Sequence, residues 1–292
     1  MVGRLRRLFE IDPRSLIAFR IAISVFGLFD LFIRLHSLTA HYTDNGVLPR
    51  KYLLDLFPNQ WSFNFYMISG GEFFTAFLFA VHAFCFVALL MGYRTKLFSI
   101  LCWAFTVSIQ NRGFLMNQGG DAFYKMMLFW AMFVPLDPKE DKPVLSFGTA
   151  AILLQVSILY VFTGLLKNGD QWRNGTAVYF AMHIDQFARP LAHLLRDNIS
   201  KEIYALLTYS VQYFEIYGSL LLYCPLFFVF FRTLGILGFI TLQIGFSLFL
   251  VLGPFPYITI LSMLLFVPKE IWDDFKIPEL KFVSRLHAKR IG

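Results

Sequence analysis

Apolar positions in this chain do not alternate with polar ones. They gather in eight runs, at about 15–35, 72–92, 97–114, 121–136, 147–167, 204–228, 231–252 and 255–268. A helix that crosses the hydrocarbon core of a bilayer needs roughly 20 mostly apolar residues. The fourth and eighth runs are short of that, and Pro135 and Pro254 punctuate their neighbourhoods. The pattern predicts an all-α fold: a polytopic membrane helical bundle of about eight transmembrane helices, forming a single domain over 1–292. No internal repeat and no pair of interrupted helices stands out, which argues against a secondary transporter.

Two connections break the rhythm, 37–71 and 168–203. Connections in compact domains are mostly shorter than about 15 residues, and longer ones are often functional. The first contains HYTDNGVLPRKY and the second NGDQWRNGTAVYFAMHIDQFARP. Turn residues mixed with Trp, Tyr, Phe and His suit segments lying at a membrane interface. Both are expected to roof one mouth of the bundle.

Composition supports a bilayer as the solvent. The chain is 57% hydrophobic and only 15% charged, where a soluble domain carries about 25% charged residues. That excludes an ordinary cytosolic enzyme, a disordered tail and a nucleic-acid module. The net charge of +7 is then read as membrane-flanking Lys and Arg rather than a nucleic-acid surface. One side collects Arg4, Arg6, Arg7, Arg14, Arg94, Lys96, Lys139, Lys142, Arg232 and a basic tail ending Lys289-Arg290. The two long loops carry fewer such residues per unit length. By the positive-inside rule both termini are cytoplasmic and both long loops outside. The compact loops point to a bacterial inner membrane. Cys85, Cys102 and Cys224 all lie in apolar runs, with no spacing that suggests a metal site.

Ionisable groups in such runs are costly and are candidate functional residues. Asp30 and Arg34 are four apart, as are Asp121 and Lys125, and mutual pairing is the favoured reading of each. Arg20 is expected to snorkel to headgroups, and His82 to be a satisfied helix-interface histidine. Residues 108–121, SIQNRGFLMNQGGD, form a polar hairpin with Asn111, Arg112, Asn117, Gly119, Gly120 and Asp121. It reads equally well as a plain turn or as part of a site. Glu215 and Gln243 are isolated in the sixth and seventh runs and require hydrogen-bond partners. Lys167 closes the run AAILLQVSILYVFTGLLK. It is either a snorkelling helix end or an amine at an apolar boundary, where desolvation disfavours an ammonium and frees a base.

The order of segments FRIAISVFGLFDLFIR, HYTDNGVLPRKY, GYRTK, SIQNRGFLMNQGGDAFYKMMLFWAMFVPLD, YVFTGLLKNGDQWRNGTAVYFAMHIDQFARP and GFSLFLVLGPFPYITILSMLLFVP resembles the transmembrane domain of the vitamin K-dependent gamma-carboxylase family, also called the HTTM family. The resemblance covers nearly the whole chain. It implies a membrane enzyme in which a lysine in a G-x-x-K…W-x-x-G stretch deprotonates vitamin K hydroquinone. Oxygen then converts the quinol to an epoxide and a strong base, which removes a glutamate γ-proton before carboxylation. Here the stretch is Gly164 to Lys167, then Trp172 and Gly175, so the resemblance gives Lys167 the base role. It gives cofactor contacts to the 108–121 hairpin, Trp172, His183, Gln186, Glu215 and Gln243. The implied cofactor is vitamin K hydroquinone or menaquinol, with no metal. The implied partners are membrane lipid, quinol and a peptide or protein substrate. Two family histidines are replaced, one by the Gly119-Gly120-Asp121 stretch and one by Gln243. The extramembrane domain that holds propeptide in the carboxylase is not expected here, since the sequence stops at Gly292. The alternative to an enzyme is a non-catalytic quinone- or lipid-binding protein, or a partner in maturation of an exported peptide.

Overall fold

A computed structural model describes residues 2–56 and 64–274. Among them the chain is all-helical, with only two isolated β-bridges, Ile11 with Val144 and Ala188 with Leu250. The first half contains α1 (Val2–Phe9), α2 (Pro13–Leu35), α3 (Leu38–Tyr42), α4 (Arg50–Leu56), α5 (Glu72–Leu90), α6 (Thr95–Arg112) and α7 (Gly119–Ala131). The second contains α8 (Phe147–Leu165), α9 (Asp170–Arg173), α10 (Ala177–His183), α11 (Pro190–Leu195), α12 (Lys201–Tyr217), α13 (Ser219–Leu222), α14 (Phe228–Phe249), α15 (Phe255–Ser262) and α16 (Lys269–Asp274).

Each apolar run is helical over most of its length, and the run at 204–228 divides into α12 and the short α13. Among the described residues α2, α5, α8 and α14 are long and apolar enough to cross a membrane. These four helices make the chain a membrane protein. The run at 121–136 forms a helix of 13 residues, and 255–268 an eight-residue helix continued by a 3-10 turn, Met263–Phe266. The long connections are not bare loops: they fold into the short helices α3 and α4, and α9 to α11. Segment 57–63 of the first, and the basic tail with Lys289 and Arg290, lie outside the described residues.

Packing divides the chain into two compact units. In the unit built from Leu16–Glu140, α6 packs on α5 and α7. Arg34 lies at its polar centre. Its Nε donates to Asp30 Oδ2 at 2.8 Å and its Nη1 to the Tyr42 hydroxyl at 2.9 Å. Its Nη2 donates to Asp121 Oδ1. The expected Asp30–Arg34 pair is present. The expected Asp121–Lys125 pair is not: Asp121 uses one oxygen for Arg34 and the other to accept from Gln118 N at 2.8 Å, closing a capping box at the start of α7. A carboxylate in the first turn of a helix gains more from the free backbone N–H groups and a buried guanidinium than from a half-buried lysine. Arg20 also departs from expectation. It is fully buried, with Nη1 3.3 Å from Asp137 Oδ1, rather than extended to the surface. His82 lies at the helix interface, stacked between Phe86 and Phe105, but is only half satisfied: Nε2 is 3.3 Å from Thr106 Oγ1 and the buried Nδ1 has no hydrogen-bond partner among the described residues. Outside the spans, the Arg50 guanidinium hydrogen-bonds Asp44 and holds its carboxyl below the ordinary carboxylate range.

The other unit is built from Met1–Ser15 and Asp141–Lys276. Its longest helix contact is α8 against α12. Ser146 caps α8 through a reciprocal bond with Thr149, and Ser200 caps α12. Gly164 lets these two helices approach: a Cβ there would lie 2.6 Å from Ile216 Cγ1 and 3.0 Å from Ile216 N. Arg232, buried in α14, donates to the carbonyls of Leu222 and Leu8 and lies 4.3 Å over the Phe228 ring. It binds α1 and α13 to α14.

Candidate functional site

The close approach at Gly164 sets α12 beside the end of α8, and this positions the first two polar residues of the site. Lys167 follows α8 by two residues, and Glu215 is one residue before the Ile216 that meets Gly164. Gln212 Nε2 donates to the Lys167 carbonyl, fixing the chain where α8 ends. The Lys167 Nζ donates to Glu215 Oε2 and, at 3.1 Å, to the Thr163 carbonyl. Trp172, on α9, presents its ring 5.3 Å from the same nitrogen. An ammonium has three donors, so two are committed to named acceptors and one remains for the ring and the space beside it. Glu215 is 2% exposed and Lys167 retains 19%.

That space is a cavity of about 490 Å³ within this unit. Its polar end holds Thr163, Lys167, Trp172 and Glu215. Apart from Thr241, the rest is apolar wall. Leu207 and Val211 come from α12, and Leu242, Phe246 and Phe249 from α14. Val178, Ala181 and Met182 come from α10. The second long connection thus supplies one side of the cavity. It is held there by Val178 N donating to Thr208 Oγ1 at 3.2 Å, and by the bridge at Ala188, where Arg189 N donates to Phe249 O and Val251 N to Phe187 O. Gly175 serves this docking. Its φ of 71° is a left-handed turn, and a Cβ would lie 2.9 Å from Ala205 Cβ.

The sequence-predicted residues separate. Lys167, Trp172 and Glu215 come together at the cavity. Gln243 is fully buried on α14 but faces the Tyr160 hydroxyl, 3.3 Å from its Nε2, and is not in the cavity lining. His183, on α10, stacks on Tyr179 at 4.0 Å with Nδ1 2.8 Å from the Tyr179 carbonyl. Gln186 is exposed. The hairpin residues belong to the other unit. There Arg112 donates to the carbonyls of Leu48 and Thr43, Asn117 donates to Gln110 O, and Asp121 pairs with Arg34. Asn111 is half-buried, Gly119 exposed and Gly120 buried.

The sequence reading missed α10 as a wall. The signal was present: Val178, Ala181 and Met182 are spaced i, i+3, i+4, one helical face. It missed Gly245, which lines the cavity and carries no sequence signal at all. Glycine inside a helix costs about 0.5–1 kcal/mol relative to alanine. Among the described residues no group of three or more His, Cys, Asp or Glu is arranged to hold a metal ion. The chain matches no protein-family model, no curated protein and no solved structure.

Proposed function

We propose that this chain is an integral membrane enzyme acting on a membrane quinol, in the manner of the vitamin K-dependent carboxylase family it resembles. One observation carries the reading: Lys167, Glu215 and Trp172, distant in sequence, share the polar end of an otherwise apolar cavity. The residues fit a prenylated naphthoquinol. Small-molecule pockets run about 300–1,000 Å³, with apolar walls and a few placed polar groups, and this cavity has that size and that distribution of polarity. Lys167, Glu215 and Thr163 would take the hydroxyl end, and the walls of α10, α12 and α14 the apolar body.

When bound, a quinol supplies the electrons for oxygen chemistry. The chain's own residues supply proton handling. Glu215 Oε2 already accepts a hydrogen bond from Lys167 Nζ. Passing that proton to Oε2 leaves Nζ neutral, able to take a proton from a hydroxyl at hydrogen-bond distance. The pair gains one proton in total. The apolar walls exclude water that would compete for the same proton.

The non-catalytic reading, a quinone- or lipid-binding protein, has one observation in its favour. Nζ is held by two acceptors, and such a lysine anchors a ligand as readily as it deprotonates one. Mass spectrometry of lipids co-purifying with the protein tests both against a purely structural cavity. A prenylated quinone is expected in wild type and absent from Lys167→Met/Glu215→Leu. A protein that carries only bulk phospholipid contradicts the quinol site.

We further propose that all eight apolar runs cross a bacterial inner membrane with both termini cytoplasmic, on the strength of the Lys/Arg asymmetry. A cysteine placed at exposed Gln186 is then expected to react with an impermeant reagent in intact cells. Reaction only after permeabilisation contradicts this orientation.

A further inference from the structure

Gly164, Gly235, Gly238 and Gly245 lie inside the long helices of this unit, and the first three have a packing reason. A Cβ at Gly164 would meet Ile216, one at Gly235 would lie 2.9 Å from Leu222 Cδ2, and one at Gly238 would run into the Phe214 ring. Gly245 is different. It sits in α14, four residues before the helix ends, and a Cβ there would meet no atom within 4 Å. No helix approaches it and no left-handed turn requires it. What it faces is the cavity. The glycine is therefore tolerated where an added side chain would extend into the cavity rather than into a neighbouring helix.

The shape of the cavity gives that vacancy a meaning. Along α14 the lining runs from Thr241 to Phe249, and along α12 from Leu207 to Glu215. Eight residues at 1.5 Å each make this stretch of wall about 12 Å long. The cavity of about 490 Å³ lies within the roughly 300–1,000 Å³ that holds a compact small-molecule body. Gly245 is four residues along α14 from Thr241 at one end and four from Phe249 at the other, so it lies at mid-slot.

We propose that Gly245 sets the width of the slot at its middle and so selects a ligand with a flat fused-ring body over one with a single alkyl chain. The proposal rests on the quinol reading of the cavity and names the residue that makes room for the ring. A Cβ at 245 meets no atom within 4 Å, so a leucine there would extend into the slot and narrow it. Because it adds a better helix former in open space, it leaves folding intact.

The test uses the full-length protein in detergent, with two probes: a naphthoquinone bearing a short prenyl tail, and a saturated long-chain fatty acid. Affinities are measured for wild type, Gly245→Ala and Gly245→Leu, and thermal unfolding is recorded for each. Gly245→Leu is expected to melt no lower than wild type. It should bind the naphthoquinone at least about tenfold more weakly, as forced overpacking does, and keep its fatty-acid affinity within about threefold. Gly245→Ala should fall between. Unchanged naphthoquinone affinity in Gly245→Leu overturns the width proposal and leaves the quinol site standing. Wild type that binds only the fatty acid overturns the quinol reading, and this proposal with it.

Discussion

Arg34→Met is expected to lower the stability of the protein by about 3–5 kcal/mol, the usual cost of stripping one partner from a buried ion pair. The guanidinium serves three acceptors at once: Asp30, Asp121 and the Tyr42 hydroxyl. Arg34 and Asp121 are almost fully buried, with side chains 6% and 5% exposed. Methionine fills much of the volume but leaves Asp121 facing apolar surroundings without a donor for Oδ1. The cost is the uncompensated carboxylate rather than a lost contact. Adding Asp121→Asn to Arg34→Met should recover part of the loss, because the orphaned charge is then gone. Thermal or denaturant unfolding in detergent measures both variants. A loss under about 1 kcal/mol for the single replacement would mean the network is solvated and the account of this unit wrong.

The second large effect concerns Lys167 and Glu215. Glu215→Leu alone leaves an ammonium at the apolar cavity with only the Thr163 carbonyl as a named acceptor, and Lys167→Met alone leaves a carboxyl that is 2% exposed. Each single replacement is expected to destabilise, Glu215→Leu by about 3 kcal/mol and Lys167→Met by less, since a buried carboxyl can take up a proton. The double replacement Lys167→Met/Glu215→Leu should be close to wild type, as buried pairs exchanged whole for apolar residues usually are. Function should not follow stability: all three variants are expected to lose quinol turnover, including the stable double variant. That separates a working pair from a structural one. A double variant that retains turnover contradicts the assignment.

These effects show where the sequence was readable. Long apolar runs announce helices because a bilayer imposes length and polarity on each segment locally; each of the eight runs is largely helical, and among the described residues α2, α5, α8 and α14 are long and apolar enough to span. Asp30 and Arg34 could be paired from their spacing alone, since one helical turn brings i and i+4 together. Asp121 could not. Its partner is 87 residues away, and the i+4 lysine was the nearer but weaker competitor. Lys167 was singled out by its place at the end of an apolar run, but its pairing with Glu215 depends on how closely Gly164 lets α12 approach. Spacing gives no hint of that approach. The wall residues of α10 had a helical period but sat inside what looked like a loop. Gly245 is legible only once the space in front of it is known.

We propose that Lys167 handles a quinol proton in this cavity, and oxygen-dependent consumption of a prenylated naphthoquinol by purified wild type, Lys167→Met and Lys167→Arg at matched protein levels decides it. Turnover is predicted for wild type only. Methionine keeps bulk and removes the amine, and arginine keeps charge but cannot give up its proton at working pH. Equal consumption by wild type and Lys167→Met, or none by wild type, would contradict the claim.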